Sequence, residues 1–347
     1  MNWKRTTGFF LLFSLCFGCI TGCGADGEIT ALRQPDLVVY SPHPLDLINP
    51  IVSEFEARTG IVVRVHNDGT GKLLKMVEEK QEPLCDVVWG GSLSIVLPKQ
   101  ELFEDYTSAN ELMIPVEFQN QEGNLTRFTD MPSVLMVNLN LIGDIPIEGY
   151  QDLLRPELRG RIAMCDPAVS SSAQEQLINM LYAMGEGDPE AGWDYVEQFC
   201  RNLDGKLLKS SSAVYQGVAE GRYAVGLTFE QGAANYVVAG RAVKMVYMKE
   251  GVLSTPDIVG IAKGAPHPEA ARAFVDFVTS RDAQTVMASG LGRRPVRVDV
   301  REPAYLADKR ELKMIYDDRE VVTRQTPLWI SRFGEIFQST LPQAADQ

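Results

Sequence analysis

After residue 22, this 347-residue chain has no apolar run of the roughly 20 residues that a membrane-spanning helix needs, so no crossing segment is expected there. Basic charge is also in deficit, with 33 Lys and Arg against 46 Asp and Glu. The resulting net charge of −13 repels a phosphate backbone and argues against nucleic acid as a partner. Histidine is scarce: the chain has three, and His43, His66 and His267 are too dispersed to suggest a metal site. Beyond Cys23 the cysteines are Cys85, Cys165 and Cys200. This odd, widely spaced set does not make a disulfide framework, although a single pair is compatible with it. No Ser/His/Asp set, metal cluster or complete nucleotide motif stands out, so neither an enzyme nor a cofactor is expected. Short-period repeats and low-complexity tracts are missing too.

What is present begins with a leader. Residues 1–22 carry Lys4 and Arg5, then the apolar run FFLLFSLCFGCI, and end before the cysteine of ITGC (20–23), which is the layout of a secretory signal. ITGC resembles the lipobox of bacterial lipoproteins, in which the cysteine is lipidated and becomes the first mature residue. The resemblance implies that Cys23 tethers the protein to a membrane outside the cytoplasm. Without Lys4 and Arg5 the net charge falls to about −15. About 325 residues remain, enough for two domains of common size.

The mature chain punctuates itself as α/β. DLVVYS (36–41) reads as a buried strand, LDLINPIVSEFEART (45–59) as a helix stopped by Gly60, IVVRVHN as an alternating strand, KLLKMVEEKQ as an amphipathic helix and CDVVWGGS as a third strand. Strand and helix alternating in this way predict an open parallel sheet with crossover helices. A second block repeats the pattern with PSVLMVNL, GRIAMCDP, AQEQLINMLYAM, GWDYVEQFCRNL and YAVGLTFE. DIVGIAKGAPHPEAARAFVDFVTS then returns to strand and helix. Two α/β lobes joined by crossings near residues 130 and 255 are expected: residues 23–130 with 256–347, including C-terminal helices, in the first lobe, and 131–255 in the second.

Ligands of open parallel sheets gather beyond the carboxyl ends of the strands. The turns YSPHP, NDGTGK and WGGS from the first lobe, and CDPAVSSSA and LTFEQG from the second, fall at such ends. They nominate Ser41, His43, Thr70, Gly71, Ser92, Ser170, Ser171, Ser172, Thr228 and Glu230 as ligand-binding candidates. Three consecutive serines where a helix begins exceed what capping requires. One can cap while the others add hydroxyl donors beside the free N–H groups and positive end of the helix, which suits an anion. Capping with two solvated neighbours is the plainer alternative. GTGK lacks the G-x-x-x-x-G-K-[ST] spacing of a phosphate loop, which argues against nucleotide hydrolysis.

LVVYSPHP, GTGKLL, DVVWGGS, LRPELRGRIAMCDPAVSSSA, VAEGRYAVGLTFE and GLGRRPVR, in this order between about residues 37 and 301, resemble the extracellular solute-binding proteins of ABC importers. The nearest similarity is to the subgroup named for ferric iron that includes binders of hexose phosphates and aminoethylphosphonate. The resemblance implies a two-lobed periplasmic-binding-protein type II fold, each lobe a mostly parallel sheet flanked by helices. It also implies a monomer that closes on its ligand and docks on an ABC permease. Ferric-binding members use adjacent tyrosines just after the strand matching YAVGLTFE. Here that stretch has Tyr236 alone, which favours a small anionic organophosphate over Fe(III). Glu230 would then accept from sugar hydroxyls or pair with an ammonium at the far end of the ligand. His43 either donates to phosphate or holds its own turn, and Arg293 and Arg294 are expected to pair with surface acids. A ferric binder, and a sensory lipoprotein reporting to a membrane histidine kinase, are the alternatives.

Cys23→Ser should abolish lipidation and release the protein from membranes. Unchanged membrane association in a fractionation assay would refute the lipobox.

Overall fold

The computed structural model describes residues 36–341. The leader and Cys23 lie outside the described residues. β1 (Leu37–Ser41) is buried throughout and turns through His43 and Pro44 into α1 (Leu45–Thr59), whose Leu47, Ile48, Ile51, Val52 and Phe55 recur at helical spacing and face the core. Gly60 ends α1 at φ 72, in the left-handed region open to glycine. β2 (Val63–Asn67), α2 (Thr70–Glu78), β3 (Val87–Ser92), the single turn α3 (Leu93–Val96) and β4 (Thr126–Asp130) continue the first lobe. The chain then crosses into β5 (Ser133–Asn138), β6 (Ile162–Ala163), α4 (Ser171–Met184), α5 (Trp193–Leu203), α6 (Ser211–Ala219), β7 (Val225–Phe229), α7 (Glu230–Val238), β8 (Val243–Val246) and β9 (Val252–Leu253). It crosses back into β10 (Asp257–Ile261), α8 (Pro268–Val278), α9 (Arg281–Leu291) and β11 (Arg294–Pro295), and ends with β12 (Met314–Ile315) and α10 (Arg319–Ser339).

Six strands in the order β11-β4-β10-β3-β1-β2 form one sheet, and four in the order β6-β7-β5-β8 form another; β12 and β9 make a small pair. The α/β, two-lobed architecture is the expected one, but the sheets are mixed rather than mostly parallel. β1 runs parallel to β2 and β3, whereas β10 and β4 insert antiparallel, because both belong to segments that pass between lobes instead of returning over a crossover helix. In the second sheet β5 is antiparallel to both neighbours, and only β6 and β7 run parallel. The two crossings touch through a bridge between Pro132 and Ser254, so the lobes share a two-stranded hinge.

Both sheets are covered on both faces. Along β1, Leu37 and Val39 face α1 and α8, while Val38 and Tyr40 face the opposite layer with Leu73 and Leu74. In β5, Leu135 and Val137 join one core, and Val134 and Met136 the other. The period of two thus survives although every residue of these strands is buried. Cys85, Cys165 and Cys200 are buried in separate layers and unpaired.

The C-terminal helix corrects an expectation. α10 packs into the second lobe's core, where Val322, Trp329, Phe333 and Phe337 meet Leu177, Trp193 and Phe199. Trp329, Phe333 and Phe337 follow at intervals of four and form a stripe that fits the surface left by α4 and α5. Arg332 stacks 4.4 Å above the Trp193 ring and pairs with Glu190 at 2.9 Å, fixing the outer edge of the contact. Phe333→Ala should cost about 3–5 kcal/mol in urea unfolding, as for other buried Phe truncations. A loss below about 1 kcal/mol would show that α10 does not belong to the core.

Candidate ligand-binding cleft

Between the lobes lies a cavity of about 390 Å³, a size that suits a small molecule. Its first-lobe wall is made by Pro42, His43 and Pro44 after β1, residues 67–70 after β2, and Gly91 and Ser92 at the end of β3. Its second-lobe wall is made by Ser170, Ser171 and Ser172 at the start of α4, residues 209–212 at the start of α6, Tyr215, and Phe229 at the end of β7. Met131, Thr255 and Asp257 close the hinge side, and Glu175 and Arg293 also reach the lining.

The three serines take different tasks. The Ser170 hydroxyl caps α4 by accepting from the Ala173 N–H at 3.4 Å and lies 3.1 Å from the Ser172 hydroxyl. Ser171 accepts from the Thr70 hydroxyl at 3.3 Å, a direct contact between the two lobes. A second set at α6 repeats the arrangement. Ser210 accepts from the Ala213 N–H at 3.2 Å and lies 3.1 Å from Ser212, with Ser211 and Ser212 on the same cavity. Sequence reasoning missed this site although its signal was legible: SSSA occurs twice, at 170–173 and 210–213. α2, α4 and α6 therefore point their N-termini at one cavity, and none carries an acidic residue in its first turn. Their positive ends are left without carboxylate compensation from their own first turns. Lys209, exposed at the start of α6, adds a cation.

The acids of the lining are largely engaged. Asp68 accepts from the Gly69 N–H and pairs with Lys72. Glu175, on α4, accepts from Ser94 of the first lobe and from Thr255 at 2.7 Å. Asp257 holds Arg293 at 2.8 Å. Asn67 donates its amide to the main-chain carbonyls of Ser41 and His43 at 2.7 and 2.8 Å, which leaves its carbonyl oxygen as the acceptor.

Several candidates fall elsewhere. Ser41 is buried, donating to the Trp89 carbonyl at 2.7 Å, and does not line the cavity. Gly71 lies one residue inside α2 and faces solvent. Thr228 is enclosed in β7. Glu230 is sealed by Arg294, whose guanidinium contacts it at 2.8–3.0 Å. His43 reaches the lining, but its Nδ1 accepts from Arg293 at 3.1 Å and its Nε2 is buried without a partner. Burial, and then the Arg293 charge, push its pKa well below the usual range, so it is neutral. Gly90, at φ 115, is required beside it, because a Cβ there would stand 2.5 Å from Nε2. Arg293 and Arg294, expected at the surface, are 2% and 1% exposed. Sequence alone did not disclose that their acidic partners, Asp257 and Glu230, are themselves buried.

Residues 37–290 match the family model for bacterial extracellular solute-binding proteins. The chain belongs to that family. This solute-binding protein is 26% identical over 270 residues to the probable ABC transporter periplasmic-binding protein y4fP of Sinorhizobium fredii, covering 75% of this chain and 74% of that one. It shares its fold with the periplasmic binding protein AfuA of Actinobacillus pleuropneumoniae, solved with exogenous fructose-6-phosphate bound. The TM-score is 0.80 at 23% identity, covering 88% of this chain and 99% of AfuA. A two-component system protein that mediates signal transduction superposes with a TM-score of 0.73 at 29% identity, over 85% of this chain and 99% of that one. The family places this solute-binding protein outside the cytoplasm and makes a small molecule its cargo.

Burial raises the pKa of Glu175, and its hydrogen bonds to Ser94, Ser92 and Thr255 only partly oppose this. Between the ordinary value of about 4.5 and the raised one, the folded protein keeps a proton that the unfolded chain has released. The resulting stabilisation is complete below that interval and disappears as pH rises through the folded pKa. Glu175→Gln should remove this part of the slope in urea unfolding followed through a pH series. Parallel curves for variant and wild type would show that Glu175 does not titrate within the folded cleft.

Proposed function

We propose that this protein captures a small phosphorylated organic compound, of the hexose phosphate or phosphonate class, between its lobes. It then hands the compound to the permease subunits of an ABC importer while tethered through a lipid on Cys23. The observation that carries this reading is the convergence of the α2, α4 and α6 N-termini on one cavity, without an acid in any of their first turns. Each helix start offers up to four free N–H donors and a partial positive charge. Thr70, Ser171, Ser172, Ser211 and Ser212 add hydroxyl donors around the same space. A phosphate dianion accepts from many such donors at once. Because α2 belongs to one lobe and α4 and α6 to the other, the anion would draw the lobes together. The net charge of −13 gives no long-range attraction, so short-range donors must supply the affinity.

Delivery to an importer rests on the relative named as an ABC transporter periplasmic-binding protein. A ferric cargo suits the cavity less well. Fe(III) is a hard cation that favours phenolate and carboxylate oxygens, but the lining offers one phenol, Tyr215, raised to about 12 by burial, and acids that are each already paired or hydrogen-bonded through at least one oxygen. A sensory role is the second reading, favoured by the likeness to the two-component protein. Recovery of a histidine kinase instead of permease subunits in a membrane pull-down would select it.

A thermal-shift screen of sugar phosphates, glycerol phosphates and phosphonates should find a stabilising ligand, worth about 2.7 kcal/mol at 100 times its Kd. With that ligand, replacing Ser171 and Ser172 together by Ala should cost roughly 1–3 kcal/mol of binding by calorimetry. Folding stability should fall less, since Ser170 keeps the cap. Unchanged affinity in the double variant would remove the serines from the site, and a screen without any phosphate or phosphonate hit would sink the reading.

A further inference from the structure

The cleft's anion-facing side leaves open what recognises the rest of the ligand. Glu230, the residue the sequence offered for that task, is consumed by Arg294. Asp257 is differently placed. It sits at the first residue of β10, paired with Ser92 on one side and Thr129 on the other, and reaches the cavity lining where β10 leaves the hinge. Its Oδ2 takes the Arg293 Nη1 at 2.8 Å, whereas its Oδ1 has no protein donor among the described residues.

Arg293 has its terminal nitrogens taken up by this carboxylate and its neighbours. Its Nη1 also approaches the Thr129 hydroxyl at 3.3 Å and the Met131 sulfur at 3.2 Å, and its Nη2 contacts His43 Nδ1. With 2% of its surface exposed, it has little to offer a phosphate directly. Asp257 therefore presents an acceptor oxygen whose charge is already balanced, beside a neutral histidine. An ammonium brought to that oxygen would meet the Arg293 guanidinium behind it, and part of its attraction would be cancelled. A hydroxyl donates equally well and suffers no such repulsion.

We propose that Asp257, positioned and neutralised by Arg293, is the specificity-determining acceptor for a hydroxyl on the carbon skeleton of the cargo, which makes the preferred class polyol monophosphates over aminoalkylphosphonates. This inference rests on the phosphate reading of the cleft. Calorimetry with fructose 6-phosphate, 2-aminoethylphosphonate and inorganic phosphate tests it. The sugar phosphate should bind roughly 10- to 100-fold tighter than either other probe, the range of one hydrogen bond to a charged acceptor. In Asp257→Asn the amide oxygen must turn to Arg293, so its N–H₂ replaces the acceptor in the cleft. The affinity ratio of sugar phosphate to inorganic phosphate should then fall by about tenfold or more. Asp257→Ser, which shortens the side chain, should lower the same ratio. A purely structural role would weaken both probes alike and leave the ratio unchanged, which would overturn the assignment, as would equal binding of 2-aminoethylphosphonate by the wild type. If none of the three probes binds, the phosphate reading itself fails.

Discussion

The two lobes are joined through a guanidinium with almost no exposed surface. Arg294 on β11 belongs to the six-stranded sheet and Glu230 opens α7 in the other lobe, so their three contacts at 2.8–3.0 Å cross the hinge. Tyr247 donates to Glu230 at 2.5 Å, and Arg294 also reaches Glu302 and the Ala307 carbonyl. Burial raises the Glu230 pKa, and Arg294 opposes that rise. Burial equally disfavours the Arg294 cation, and Glu230 more than offsets this. Each ion is tolerable only because the other is there; breaking such a pair on one side costs about 3–5 kcal/mol. Glu230 also donates its backbone N–H to Pro132, on the first crossing strand, so the pair lies beside the pivot.

With the lobes held at that edge, the contacts farther out decide what the cleft can do. Thr70 to Ser171 and Ser94 to Glu175 pass directly from lobe to lobe through hydroxyls. The contact between the neutral hydroxyls of Thr70 and Ser171 is weak individually, of order 1 kcal/mol, which suits surfaces that must part. The Arg294–Glu230 ion pair stands beside the hinge, and hydroxyl contacts from Thr70 and Ser94 bridge the cleft. Rigidity and mobility are thereby assigned to different chemistries.

The same division governs the electrostatics of the cavity. A chain with an acidic excess still builds a donor-rich pocket, because Asp68 is held by Lys72 and Asp257 by Arg293, while the helix ends facing the space have no acids in their first turns. Lys72 stands one helical turn beyond Asp68, and this local pairing was open to inspection in the sequence. The Asp257–Arg293 pair spans 36 residues and depends on the register of β10 against β4 and β3.

By itself the sequence determined the local elements. The apolar spacing of α1, the buried apolar runs of β1 and β5, and the serine cap of α4 follow from the helical period of 3.6, from the length and composition of a doubly covered strand, and from a side-chain acceptor three residues from its N–H donor, all of them short-range physics. It also determined that hydroxyl-rich turns would gather at strand ends, since α/β alternation brings them to one edge. Only the tertiary structure decided which of those turns meet. It moved α10 onto the second lobe through a stripe of Trp329, Phe333 and Phe337 that could have covered either lobe. It turned Glu230 from the cleft to Arg294, and brought the second SSSA opposite Thr70's lobe. Burial was the deciding cause, because a charged side chain withdrawn from water takes whichever partner the packed backbone places within about 3 Å, and no local pattern names that partner.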